Sequence, residues 1–288
     1  MIFRIIFVLF FIIWTVSLSA FNISSPQNPQ IKLYAVKTQN KTDNDPRAEK
    51  VTIQYFIPEK QSGSAVIICP GGGYYELCDT YEGEEVARWL NSLGISAILL
   101  RYRTGENLNA APLDDVLNAI CYVRKNADLY GIDSNKIGII GFSAGGHLAA
   151  NAAVYGKNES AVNFHILIYP VISLNDQWTH KVSRQNFLGT LLNEENIQKY
   201  SAELNVSSEI SSAFVCHSAT DRSVPVQNSR MYVDALQKHN VSVTYLELPK
   251  GGHGFGSGKS QEWKIWQNAC EKWLKENNLI IINILSFI

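Results

Sequence analysis

The chain has 288 residues, with 25 Lys+Arg against 26 Asp+Glu and a formal net charge of −1. That balance excludes the long-range positive field by which a nucleic-acid binder draws in phosphates, and no run of basic residues stands in for it. Hydrophobic residues at 46% and charged residues at 18% exclude a disordered, collagen-like or coiled-coil chain, and the length suits a single α/β domain.

Residues 1–20 carry Arg4, an apolar stretch over 5–16 and the small residues Ser17, Ser19 and Ala20. This is the pattern of a signal peptide cleaved after Ser19 or Ala20. It predicts a secreted or periplasmic protein with no membrane association once the segment is removed. Residues 31–37 and 51–57 alternate in polarity, as antiparallel strands at a sheet edge do. Ala65–Cys69 (AVIIC) is a short continuous apolar run and reads as a buried strand. Residues 84–93 place Val86, Trp89, Leu90 and Leu93 on one helical face, and residues 95–100 form another apolar strand. A helix follows over 113–129, with Leu113, Val116, Leu117, Ile120 and Val123 at helical spacing. Residues 136–141, 164–169 and 213–216 are further apolar strands. A helix over 226–238, a strand over 241–248 and a closing helix marked by Trp263, Trp266, Cys270, Trp273 and Leu274 complete the series.

Apolar strands alternating with amphipathic helices predict an α/β fold, a mostly parallel sheet covered on both faces. One domain is expected over 21–278. The polar connection 171–212 interrupts the rhythm and should hold short helices that roof part of the active face. The tail 279–288 (LIIINILSFI) is apolar but too short to span a membrane, and no role attaches to it. Five cysteines at wide spacings do not make a disulfide framework or a zinc site. Cys69, Cys121, Cys216 and Cys270 read as small buried hydrophobes, and pairing of Cys78 stays open.

The chemistry begins at Gly141-Phe142-Ser143-Ala144-Gly145. A strand precedes this G-x-S-x-G and a helix-like AGGHLAANAAV follows it, which is the context of a nucleophile held on a tight strand-to-helix turn. The small residues two before and two after Ser143 let the backbone bend, and the helix N-terminus supplies free N–H groups and positive dipole. Cys69-Pro70-Gly71-Gly72-Gly73 follows the strand AVIIC. Its bare glycine N–H groups can approach an oxyanion closely, so Gly72, Gly73 and Ala144 are the candidate oxyanion donors.

A serine nucleophile needs a base and the base an orienting carboxylate. His253 sits in Gly251-Gly252-His253-Gly254-Phe255, a flexible loop after a strand, and is the candidate base. His147 should point into packing from the elbow helix. His165 lies mid-strand, His217 at a strand end, His239 at a helix end, and His180 ahead of any suitable carboxylate. Asp221 opens the loop after the strand at 213–216 and is the candidate orienting carboxylate. Asp234 lies within the next helix and should face solvent.

These stretches resemble the α/β-hydrolase superfamily, and within it the bacterial acetyl xylan esterase-like carbohydrate esterases. The resemblance is carried by CPGGGYYEL, EGEEVARWLNSLGISAILLRYR, IGIIGFSAGGHLAA, FHILIYPVIS and LPKGGHGFG. It implies an α/β-hydrolase fold, a catalytic set of Ser143, Asp221 and His253, oxyanion donors at Gly72–Gly73 and Ala144, an acylated carbohydrate substrate, and no metal or organic cofactor. Tyr74, Tyr75 and Tyr81 follow the glycine loop, and Tyr74 and Tyr75 are candidates to stack on a sugar ring. The rival readings are an esterase or lipase of other acyl esters, a serine peptidase of prolyl-oligopeptidase type and, furthest away, a non-catalytic binding protein.

Overall fold

The short apolar runs form the middle of one eight-stranded sheet. The computed structural model describes residues 30–32, 45–258 and 260–280. The expected signal segment 1–20 and the end of the tail, 281–288, lie outside the described residues. The strands are β1 (Gln30–Lys32), β2 (Thr52–Phe56), β3 (Ala65–Cys69), β4 (Ser96–Arg101), β5 (Ile137–Phe142), β6 (Phe164–Ile168), β7 (Ser212–Ser218) and β8 (Val243–Leu248). The helices are α1 (Glu85–Ser92), α2 (Ala111–Lys125), α3 (Ser143–Tyr155), α4 (Lys181–Leu188), α5 (Glu194–Tyr200), α6 (Gln227–Lys238) and α7 (Gln261–Glu276).

The strand order is β1-β2-β4-β3-β5-β6-β7-β8. β2 runs antiparallel to both β1 and β4, and every pair from β4 to β8 is parallel. Parallel strands need helical crossovers on both faces, which is why their sequences are continuously apolar. In β3, Ala65, Ile67 and Cys69 face the layer of α2, α3 and α6, while Val66 and Ile68 face the layer of α1 and α7. The chain leaves β3 toward β4 on one side and returns to β5 on the other. The C-terminal ends of β3 and β5 therefore lie side by side, with Cys69 paired to Gly141, at the point where the strand order reverses. Such a point is the usual ligand position in open α/β sheets.

Several elements differ from the sequence reading. α2 starts at Ala111, with Pro112 in its first turn, and ends at Lys125 rather than 129. A short turn at Asp128–Tyr130 follows, closed by Gly131 in the left-handed region. Residues 171–212 do carry short helices, α4 and α5. All five cysteines are free; Cys69, Cys216 and Cys270 are buried, but Cys121 is half-buried because it lies on the flank of α2 rather than its core face. Trp266 and Trp273 pack in the core under α7. Leu279 and Ile280 are also buried against that layer, so the packed body runs past the expected boundary at 278. Among the described residues no helix is long and apolar enough to cross a membrane.

Candidate active site

β5 passes into α3 with no residue between them, and the first residue of the helix is Ser143. Its backbone sits at φ +51°, a conformation that costs a non-glycine residue about 1–3 kcal/mol and persists only where the surroundings enforce it. The surroundings are tightly packed. A Cβ on Gly141 would lie 2.2 Å from Gly145 O, and one on Gly145 would lie 2.1 Å from Cys69 O. The elbow and the loop after β3 are thus in backbone contact, which only glycine permits.

That loop turns at Gly72, where φ is +124° and a Cβ would meet Glu76 O at 2.1 Å. The turn is closed by the N–H groups of Tyr75 and Glu76, which both donate to Gly72 O. Among the described residues nothing accepts from the N–H of Gly72 or Gly73. The Ala144 N–H lies in the first turn of α3, where helical geometry provides no partner.

Three side chains follow in series. His253 Nε2 is 2.9 Å from Ser143 Oγ, and His253 Nδ1 is 2.6 Å from Asp221 Oδ2. With Nδ1–H donating to the carboxylate, the neutral imidazole presents Nε2 as acceptor to the serine hydroxyl. Ser143 and Asp221 are buried, whereas the His253 side chain keeps 23% of its surface exposed. Asp221 closes its own turn, its Oδ1 accepting from the N–H groups of Ser223 and Val224 at 2.9 Å each. Burial opposes ionisation of this carboxyl. The bonds from His217, His253 and Val224 outweigh burial and hold it well below the usual carboxylate range. His253 is positioned by Gly252 N–H donating to Ser218 Oγ at 3.1 Å and by the Tyr169 ring, 4.8 Å away between centroids.

The connection 171–212 crosses above the glycine loop. Asn186 Nδ2 donates to Gly73 O at 3.0 Å. His180 caps α4, its Nδ1 bonded to Ser183 Oγ at 2.7 Å. Burial and the nearby His253 push the His180 pKa down, with Asp221 opposing. Neither Asn186 nor His180 stands out in the sequence as part of a site. His217, which the sequence places only at a strand end, is wholly buried, with Nε2 3.2 Å from Asp221 Oδ2. The signal was present as His-x-x-x-Asp across the end of β7, but only the tertiary turn brings the two side chains together.

Tyr74 is a correction. Its φ of +62° turns the side chain inward, where it is fully buried with its hydroxyl 2.8 Å from His147 Nδ1. It packs against Tyr102 and Phe187 and cannot stack on a sugar. Tyr75 is 63% exposed beside the loop. His147 points into packing as expected, and Asp234 is exposed. Among the described residues no group of His, Cys, Asp and Glu is arranged to hold a metal ion.

Residues 53–236 match the BD-FAE family. The acetylxylan esterase of Xylanibacter ruminicola is 37% identical over 213 residues, which is 73% of this chain and 44% of that protein. Endo-1,4-beta-xylanase B of Butyrivibrio fibrisolvens is 31% identical over 230 residues, 75% of this chain and 36% of that protein. The chain thus spans less than half the length of these two relatives. The crystal structure of the acetyl ester-xyloside bifunctional hydrolase from Caldicellulosiruptor lactoaceticus superposes with a TM-score of 0.80 at 34% identity, covering 89% of this chain and 98% of that one. With an α/β-hydrolase sheet, a strained serine at the β5–α3 elbow and this match over most of its sheet, the chain belongs to the BD-FAE family.

Proposed function

We propose that this chain is a serine esterase that removes acetyl groups from xylan-type polysaccharides or oligosaccharides, with feruloyl esters as a second substrate class. The observation that carries the reading is the Ser143–His253–Asp221 series at the carboxyl end of the sheet, beside a glycine loop whose Gly72 and Gly73 N–H groups meet no acceptor among the described residues. The acetylxylan esterase and xylanase relatives support a carbohydrate ester as substrate. Exposed Tyr75 at the rim offers an aromatic face to a sugar ring. The apolar, Arg4-led residues 1–20 support export.

In this reading His253 Nε2 takes the Ser143 proton as Oγ attacks the ester carbonyl. Asp221 keeps the Nδ1 proton in place and stabilises the imidazolium. The carbonyl oxygen becomes an oxyanion held by the Ala144 N–H and the Gly72 or Gly73 N–H, each such donor contributing about 3–4 kcal/mol. The bond to the sugar oxygen breaks and the imidazolium returns its proton to that oxygen. Water then attacks the acetyl-serine with His253 again as base, which releases acetate and restores Ser143.

Acetate release from acetylated xylan tests the reading, with Ser143→Ala alongside and a feruloylated oligosaccharide for comparison. The wild type is expected to release acetate, and Ser143→Ala to lose about 10⁶ in kcat. A wild type that ignores xylan yet cleaves an aryl acetate through Ser143 overturns the substrate and leaves the ester chemistry standing.

A further inference from the structure

Under the glycine loop lies a carboxylate that the acyl-transfer steps leave unused. Glu82, in the turn before α1, is only 2% exposed. A carboxylate this deep is costly unless donors surround it. Its Oε2 accepts the Gly71 N–H at 2.7 Å and its Oε1 accepts the Tyr169 hydroxyl at 2.7 Å. Burial pushes the carboxyl up from its ordinary value, while these two donors and the neighbouring His253 favour its ionised form.

Both donors sit one step from the reacting atoms. Gly71 precedes the oxyanion glycines, and a Cβ on it would lie 2.7 Å from Glu82 Oε2 and 2.9 Å from Ser143 Cβ. Gly71 is therefore wedged between the carboxylate and the nucleophile. Tyr169 follows β6 at φ +40°, and its ring backs the His253 imidazole. From the loop after β8, Gly256 closes on the same group: a Cβ there would lie 2.2 Å from the Tyr169 hydroxyl and 3.1 Å from Glu82 Cγ. Loops from β3, β6 and β8 thus converge on one side chain.

We propose that, given the serine esterase reading above, Glu82 is a positioning residue of the reaction. Its carboxylate ties the oxyanion loop at Gly71 to the Tyr169 ring behind His253, so that oxyanion donors and base hold one relation to Ser143 Oγ. Glu82 touches no substrate and acts through Gly71 and Tyr169. The two donors meet different oxygens, so an amide in its place turns a donating NH2 group toward one of them.

The test compares wild type, Glu82→Gln, Tyr169→Phe and the double variant on p-nitrophenyl acetate, with Ser143→Ala as the blank. A boronic acid that forms a tetrahedral adduct on the serine provides a second readout. Glu82→Gln is expected to lower kcat about 10²-fold, the cost of a small misplacement, with KM unmoved and boronate affinity weakened in parallel. Tyr169→Phe should lose less, and the double variant no more than Glu82→Gln, since both cut the same tie. A folded Glu82→Gln protein with unchanged kcat and boronate affinity overturns the proposal, even if its Tm has dropped. If Glu82→Gln does not fold, Tyr169→Phe decides: lost kcat at constant KM supports the tie, and unaltered kcat overturns it. Wild type without Ser143-dependent hydrolysis removes the esterase reading and this inference together, whereas failure of the Glu82 and Tyr169 arms alone leaves that reading intact.

Discussion

His217 and His253 share Asp221 Oδ2, at 3.2 Å and 2.6 Å. The buried imidazole of His217 also reaches Ser229 Oγ and Val224 O, so it is held from both ring nitrogens. It locks the carboxylate from behind while His253 meets it from the cleft. Asp221 is thereby left with a single orientation, the one that serves the Nδ1 proton of His253.

Asp221→Asn keeps the shape of this arrangement but replaces the acceptor, so His253 loses its tautomer. The expected result is a fall of about 10⁴ in kcat in steady-state ester hydrolysis, with KM little changed. Stability should respond as well. The folded carboxyl is held below its unfolded value of 3.8, so its contribution is complete above that pH and is lost as pH falls below it. Urea titrations from pH 7 to pH 2 should show a steeper acid loss for wild type than for Asp221→Asn; parallel curves would refute this account.

Two buried histidines predict an earlier acid effect. Burial lowers the pKa of His147 to about 4, opposed by the Tyr200 carbonyl, and burial lowers that of His165 to about 3. Below the ordinary value of 6.5 the unfolded chain binds protons that the folded one refuses, so stability is full above 6.5 and declines as pH falls from there toward 4. Each proton contributes a slope approaching about 1.4 kcal/mol per pH unit. Denaturant midpoints measured between pH 7.5 and 4 should decline across that window, and a flat profile would count against both assignments.

The two adjacent tyrosines should separate cleanly. Tyr74→Phe removes a buried hydroxyl from His147 Nδ1 and is expected to cost about 1–3 kcal/mol of stability without altering oligosaccharide KM. Tyr75→Ala, at an exposed position, should stay within about 0.5 kcal/mol of wild type. If Tyr75 meets the sugar, its loss raises KM for acetylated xylo-oligosaccharides and not for an aryl acetate. Equal KM effects on both substrates would dismiss the sugar contact.

The parallel sheet was legible because strands buried on both faces must be continuously apolar, and AVIIC and FHILIY can be little else. The serine elbow and the glycine loop were legible for a similar reason: a backbone so tightly turned, or brought so close to another, tolerates few residues, and those few spell a pattern. The edges of elements were less so, as the early end of α2 shows, because fraying and turn closure depend on neighbours beyond the local window. Tyr74 and Tyr75 are chemically identical in sequence, and only a left-handed φ at the first sends one inward and leaves the other in solvent. The sequence assigns no role to Glu82 or His217, since a charged or polar residue becomes part of a site only when its burial and its partners are known. Local patterns are set by each segment's own backbone needs. The partnerships of Asp221 with His253 and of Glu82 with Tyr169 join segments far apart in the chain, and packing alone brings them within bonding distance.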